Sequence, residues 1–517
     1  MSILIKLLAS AKRIPGVAGF ANKLVSNKLA STTTARPNKY SLWSPVDKPD
    51  LSPSKYLTWH TVTDKDFFDL HLPPANSGFV KALPSNDGTD DFPFGEVTAL
   101  FKRKHGMKES RSSVFFMFFA QWFTDGLFRS SHKDLRKTTA NHNIDLAQIY
   151  GANEEIALML RSGSAGKLRS QQIDGEEYPD YIGELDGNGV WQVKDRYKNL
   201  PYIADKEWME QIFGGLKPEQ KEHLFATGLE RGNSIVGHMV MSTLFLREHN
   251  NICNELVSRN PSWDDDRLFH TARIINTVIL MKLVIEDYVN HIAGLDVLLM
   301  DTSFAEKKTW YRTPWIAAEF NLLYRWHGLV PNTFKVADRD ESFVKNFELL
   351  TKEGLSSLLK AATLQVAGDI SLDNVPEFMM PAEQAMILKG RAWQLRSFND
   401  YRVKFGLSRL SSFDQLTDDT QISKSLKRLY GDIDNLELTV GLFAESGSST
   451  LTGDLQTAMV AYDALTQIYT NPLLAKDIFT EEHFTAYGME RISATESFQD
   501  LVNRNTKLQV KVSVKRQ

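Results

Sequence analysis

Tyr324 and His327 stand three residues apart in Glu319-Phe-Asn-Leu-Leu-Tyr-Arg-Trp-His-Gly-Leu-Val-Pro331. On a helix that spacing puts both side chains on one face. A neutral imidazole is a common iron ligand, and a nearby phenol can be oxidised by one electron. The pair therefore suits a haem protein that forms a tyrosyl radical, although a Tyr and a His packed in an aromatic core explain the spacing more simply. Gln121 and Asp125 stand four apart in Phe118-Phe-Ala-Gln-Trp-Phe-Thr-Asp125. An amide and a carboxylate rising from so apolar a helix are costly to bury unless paired or used. They either polarise peroxide and move its proton on the open side of a haem, or Asp125 merely ends the helix before Gly126. In Leu246-Arg-Glu-His-Asn250, Arg247 and Glu248 either reach a cofactor or form a structural ion-pair network.

Other chemistries find no foothold. Nucleophile elbows, GxxxxGK[ST] phosphate loops and HExxH or CxxC zinc patterns are absent from the sequence. Lys and Arg number 60 against 64 Asp and Glu, a formal net charge of -4. A nucleic-acid binder would carry a basic excess, so no nucleic-acid partner is expected. The single cysteine, Cys253, forms no internal disulfide and points to a reducing compartment or a bacterial cytoplasm.

Long helices must position these residues. Apolar side chains recur at three- and four-residue spacing over Ser113–Phe128, Asn233–Val257, Asp264–Ile292, Thr313–His327 and Ala382–Phe405. Asp174–Pro201, rich in Gly, Pro, Asp and Tyr, reads as a long surface excursion, and Glu445–Gly453 as a mobile loop. The alternating Val510, Val512 and Val514 read as a short strand or a disordered tail. No apolar run reaches the ~18 residues that span a bilayer. The fold class is mainly α, with one large helical domain over 41–517. Before it, residues 1–40 form a basic amphipathic segment. From Met1 to Lys39 it carries seven basic residues and no acidic one, which suits a helix lying in one membrane leaflet. A docked surface helix and a transit peptide are the alternatives.

Taken in order, further motifs join these. They are Leu72-Pro-Pro74, Phe119-Ala-Gln121, His132-Lys133, Ile144-Asp-Leu146 with Ile149-Tyr-Gly151, and Ile173-Asp-Gly-Glu176. Beyond Leu246-Arg-Glu-His-Asn250 follow Val284-Ile-Glu-Asp-Tyr-Val289, Ala317-Ala-Glu-Phe-Asn321, Tyr324-x-Trp-His327, Phe398-Asn-x-Tyr401 and Tyr430-Gly-Asp-Ile-Asp434. From about Thr58 to about Glu445 the sequence resembles the haem peroxidase–cyclooxygenase superfamily, most of all its prostaglandin synthase and fatty-acid dioxygenase branch. Singly each motif has a structural explanation; the ordered set does not. The resemblance implies a mostly helical fold around one haem b, and a haem-driven oxidation of a tyrosine. The tyrosyl radical would take hydrogen from a polyunsaturated fatty acid, and dioxygen would add to give a hydroperoxide or a cyclic endoperoxide. His327 falls at the family's proximal haem ligand, Tyr324 at its radical tyrosine, Gln121 at its distal glutamine. Trp326 falls at the aromatic that shapes the fatty-acid channel. The resemblance also implies a peripheral (monotopic) enzyme on the membrane surface and favours a homodimer.

The departures are as informative. Asp125 replaces the family's distal histidine; a carboxylate takes a proton from peroxide only when ionised, and apolar burial disfavours that form. Weak peroxidase turnover is therefore expected. Thr439 stands where a tyrosine backs the proximal side, Leu295 where a tyrosine supports the radical, and Ala464 where animal enzymes carry the serine acetylated by aspirin. The arginine that holds the substrate carboxylate would fall near Leu29, leaving Lys28 or Lys23 for that role. The growth-factor-like module of the animal enzymes is missing, in keeping with one cysteine. Two other readings stay open: a haem peroxidase or hydroperoxide isomerase without tyrosyl-radical oxygenation, and a non-enzymatic haem sensor.

Overall fold

The structure, a computed structural model, describes residues 17–32, 65–88, 93–131, 133–447, 450–507 and 509–517. Residues 1–16 and 33–40 of the basic segment, Thr58, His132 and residues 448–449 of the Glu445–Gly453 loop lie outside these. The helices that build the site are α1 (Val17–Ala30), α2 (Val114–Leu127), α3 (Val236–Arg259), α4 (Asp265–Leu283), α5 (Ala318–Leu323), α6 (Met380–Ala392), α7 (Phe398–Lys404) and α8 (Asp454–Tyr469). Strands are confined, among the described residues, to two-stranded pairs, of which β1 (Glu109–Ser113) and β2 (Val366–Gly368) run antiparallel beside the site.

Helix α2 is the central post. Ser113 caps it by accepting the Phe116 N–H at 3.3 Å, and nearly every residue to Leu127 is buried. A helix apolar all round has no solvent face to offer and must be wrapped by others. Gly237 of α3 allows the closest wrap, because a Cβ there would run into the ring of Phe118. Helix α4 is capped by Asp264, which accepts the Arg267 N–H at 2.8 Å. It continues through a π-helical turn over Val284–Val289 and ends at Gly294 in the left-handed conformation. By length and hydropathy the continuous helix Asp265–Ala293 could cross a membrane, contrary to the expectation that no segment qualifies; 78% of its apolar window is buried inside the fold. Its apolar surface goes into the core instead.

Two helices read from spacing are shorter than expected. Over Thr313–His327 only Ala318–Leu323 is helical. Pro314 biases Thr313 away from helix, and the following backbone pairs with an extended segment: Asp69 N–H donates to Ile316 O at 3.0 Å and Ala318 N–H to Asp69 O at 2.8 Å. After Leu323 the chain leaves the helix at Tyr324 (φ -100°, ψ 18°) and Trp326 (φ -86°, ψ 54°), then makes a short 3-10 turn, His327–Leu329. Gly328 and Gly368 cross so closely there that a Cβ on either would meet backbone of the other strand or its neighbour. Tyr324 and His327 thus sit on a turn, not on one helix face. The stretch Ala382–Phe405 is likewise two helices, α6 and α7, with Ser397 capping the second by accepting Asp400 N–H at 3.3 Å. Asp174–Pro201 holds strands of two hairpins. The alternating tail is strand-like: Val510, Val512 and Val514 are buried, and Ser113 N–H donates to Val514 O at 3.0 Å.

Candidate active site

Helix α2 and the turn after α5 meet at one cavity of about 750 Å³. Helix α2 lines it with Gln121 and Asp125, and the turn after α5 lines it with Tyr324, Trp326 and His327. Helix α6 stands behind that turn and contributes Glu383.

His327 Nδ1 lies 2.7 Å from Glu383 Oε1, and the carboxylate side chain is 1% exposed. A carboxylate only accepts hydrogen bonds, so Nδ1 carries the proton and Nε2 keeps its lone pair for a metal. Glu383 escaped the sequence reading. Its signal was an acid on the core face of a helix, three residues after Met380 and four before Ile387, both buried.

Tyr324 sits in an aromatic box. Its ring centroid is 4.7 Å from Trp326, 5.3 Å from Phe128 and 5.4 Å from Phe320. Its buried hydroxyl has no hydrogen-bond partner among the described residues. Burial, with the charge of Asp463 adding to it, pushes this phenol well above the usual tyrosine range. Tyr324 is therefore a neutral phenol whose oxidation must release a proton as well as an electron. The tyrosine packed against it is Tyr288, in the π turn of the α4 helix, with rings 6.3 Å apart and nearly parallel at 15°. Although Leu295 stands where the resemblance sets a tyrosine beside Tyr324, a tyrosine seven residues earlier packs against it. The π turn, which spacing does not reveal, carries it.

Gln121 Oε1 is buried without a partner. Asp125 is one-tenth exposed, and its nearest cation is Arg231, whose Nε lies 4.0 Å from Oδ1. Trp326 Nε1 is also buried and unpartnered. A free imidazole nitrogen, unused polar atoms and aromatic walls around this volume fit a haem, with His327 on the iron and Gln121 and Asp125 in the same cavity.

The remaining expectations fall elsewhere. Lys28 is exposed on α1, and Lys23 pairs with Asp301 at 3.4 Å; neither lines the cavity with Tyr324. Ala464 is buried on α8, and Thr439 packs against Gly390 of α6. His291 makes a 2.8 Å hydrogen bond with Ser112 Oγ and meets the Phe116 ring edge-on, away from the cavity. Arg247 and Glu248 are structural. Arg247 pairs with Glu176 at 2.9 Å, while the fully buried Glu248 meets Arg491 and Arg504, each at 3.0 Å. Burial pushes Glu248 up, but the two guanidiniums outweigh it and hold the carboxyl below its ordinary value.

A family model for animal haem peroxidases matches residues 126–516. The chain belongs to that family. It is 31% identical to prostaglandin G/H synthase 2 of Gallus gallus over 476 residues, covering 89% of this chain and 75% of that protein. With prostaglandin G/H synthase 1 of Mus musculus it is 31% identical over 466 residues, 87% and 73% of the two chains. Its fold is similar to that of the fatty acid alpha-dioxygenase of Oryza sativa, with TM-score 0.67 and 17% identity over 98% of this chain and 94% of that one. Peroxidase A of Dictyostelium discoideum superposes with TM-score 0.64 at 16% identity, covering 87% and 96%. This family member is a haem-dependent oxidoreductase, and Gln121 and Asp125 lie just ahead of the family-matched residues.

Proposed function

We propose that the protein is a fatty-acid dioxygenase in which a Tyr324 radical takes hydrogen from a polyunsaturated fatty acid. The observation that carries this reading is the juxtaposition of Tyr324 and His327 on one turn, both facing one cavity, with the phenol buried and unpartnered. Haem, when bound, supplies the oxidising equivalent. Tyr324 then gives up an electron and its phenolic proton, and the phenoxyl radical takes a hydrogen atom from a methylene between two double bonds. Dioxygen adds to the resulting carbon radical. The peroxyl radical recovers a hydrogen atom from Tyr324, which closes the cycle and leaves a hydroperoxide, or a cyclic endoperoxide where the chain can fold back. The box of Phe128, Phe320, Trp326 and Tyr288 keeps water from the radical.

The same reading places the enzyme on a membrane surface. Phe20 and Leu24 of α1 are 62% and 41% exposed, and the exposed Lys23 and Lys28 share their face. Apolar side chains flanked by lysines suit one anionic leaflet, from which a lipid substrate could be drawn. Pairing into a homodimer is part of the proposal on resemblance alone.

Oxygen uptake with linoleate and arachidonate, followed by mass spectrometry of products, tests the reading. Tyr324→Phe keeps the ring and removes the oxidisable hydroxyl, so haem binding should persist while oxygen uptake vanishes. Uptake at a similar rate in the Phe variant would refute the radical role.

A further inference from the structure

Two cations stand beside Tyr324, one in the cavity wall and one reached from that wall through Ser130. Arg325 lines the cavity, and its guanidinium donates to Asn321 Oδ1. Asn321 Nδ2 in turn donates to Ser130 Oγ at 3.3 Å, and Lys389 Nζ reaches the same hydroxyl at 3.2 Å. Arg325 and Lys389, from the α5 turn and from α6, are thus tied together through neutral groups. Among the described residues neither has a carboxylate within ion-pair distance. The nearby acids face other groups: Glu383 Oε1 meets His327, its Oε2 having no hydrogen-bond partner among the described residues, and Asp125 lies 4.0 Å from Arg231, which stands at the rim with 63% of its side chain exposed. Both are half-buried, and cations drawn that far out of water ordinarily come with a partner, because an unpaired charge is expensive to desolvate. Burial and the charges of Arg325 and Arg231 push the Lys389 ammonium down to about 7. The geometry leaves the cluster open to an anionic partner.

We propose that Arg325 and Lys389, linked by Asn321 and Ser130 and flanked by Arg231, form a binding site for the carboxylate of an amphiphile occupying this cavity. A planar guanidinium matches a carboxylate in shape, and the adjoining walls of Trp326, Phe128 and Ile212 accept the apolar remainder. The inference rests on the reading of the cavity as a haem and fatty-acid site, which offers two sources of that carboxylate. One is a propionate of haem; the other is the head group of a fatty acid or its hydroperoxide.

Matched acids and esters separate these sources. Haem b and its dimethyl ester are titrated into haem-free protein and followed by Soret absorption. Linoleate and methyl linoleate are titrated under argon and followed by tryptophan fluorescence, which needs no haem. In the unaltered protein the acid should bind about tenfold or more tighter than its ester in at least one arm, the worth of a charge-assisted hydrogen bond. Lys389→Met keeps an unbranched side chain beside Trp393, whose ring centroid lies 5.5 Å from Lys389 Nζ, and Arg325→Gln keeps a donor toward Asn321; each should erase that preference, while Lys389→Arg retains it. A preference lost in the haem arm assigns the site to propionate, and one lost in the lipid arm assigns it to the fatty acid. Equal binding of acid and ester in both arms by the unaltered protein overturns the proposal without any variant, and so does a preference that survives both neutral substitutions. Absence of oxygen uptake would refute the dioxygenase reading alone, since the acid-to-ester comparison does not depend on turnover.

Discussion

At the scale of single residues, Glu383 and Asp125 are the acids that bear most directly on the chemistry of the candidate site. The 2.7 Å contact to His327 Nδ1 places the Glu383 carboxyl behind the imidazole proposed to hold the iron. A carboxylate there would make the imidazole a stronger electron donor, which favours oxidised iron. Glu383→Gln keeps the shape and an accepting oxygen but removes the charge. The holoprotein should then show a weaker iron–histidine stretch in its ferrous resonance Raman spectrum and a higher ferric/ferrous potential, with Glu383→Asp moving both back toward the original values. Spectra and potential unchanged in the glutamine variant would reduce Glu383 to a packing role. The resemblance sets Asp125 at the family's distal histidine, and Arg231 lies 4.0 Å from it. A histidine, with an unperturbed pKa of about 6.5, accepts the peroxide proton near neutrality. Asp125→His should raise peroxidase turnover with guaiacol-type donors and shorten the lag before oxygen uptake. A native protein that reduces hydroperoxides as fast as the histidine variant would show that the aspartate is itself a competent acid–base group.

At the scale of elements, the sequence reads well where helices are long and buried and poorly where tertiary pairing overrides spacing. Helices α2, α3 and α4 lie within three residues of where apolar periodicity places their starts. The turn bearing Tyr324 and His327 does not follow periodicity, because Ile316–Ala318 pairs with Asp69 and Gly328 must clear β2. The two residues meet in the cavity anyway, so the motif was legible although its assumed helical geometry was not. Glu383 and the Arg325–Lys389 pair were missed for another reason: Glu383 meets His327 across 56 residues of chain and Lys389 is 64 residues from Arg325, and no local pattern marks a contact of that kind. Helix α1 makes a prediction of its own. Ala21, Val25 and Ala30 are buried, and Asn22 Oδ1 accepts the Leu299 N–H at 2.9 Å. Deleting the helix would therefore disturb the core. Phe20→Glu with Leu24→Ser changes only the exposed face and should weaken sedimentation with anionic liposomes while leaving the thermal midpoint within about 2 °C. Equal sedimentation would make α1 an ordinary docked helix.

At the scale of the whole molecule, the response of the fold to acid depends on histidines far from the cavity. His249 is fully buried between the Tyr150 hydroxyl and Gly166 O, each at 2.9 Å. Burial, aided by Arg273 and Arg161, pushes it down to about 4. His291 is pushed down to about 3 by burial and by the charges of Arg111 and Lys515. In the unfolded chain both titrate near 6.5. From pH 4 to 6.5 the unfolded state thus binds more protons at these sites, and stability rises with pH, by up to about 1.4 kcal/mol per pH unit for each imidazole. Asp145 and Asp287 act in the opposite sense. Burial raises both to about 6, so the folded state holds their protons longer and they withdraw stability as pH climbs from about 4 to about 6. The unaltered protein should therefore show a muted slope over that window, with the carboxyls offsetting the imidazoles. His249→Gln combined with His291→Gln keeps polar partners for Tyr150 and Ser112 but cannot titrate. Thermal midpoints measured on the holoprotein at half-unit steps should separate the two proteins progressively. The gap in favour of the native chain should widen from pH 4 to 6.5 and level off above it, where unfolded histidine is neutral as well. Parallel curves would mean that the buried imidazoles are not the groups through which acid unfolds this enzyme.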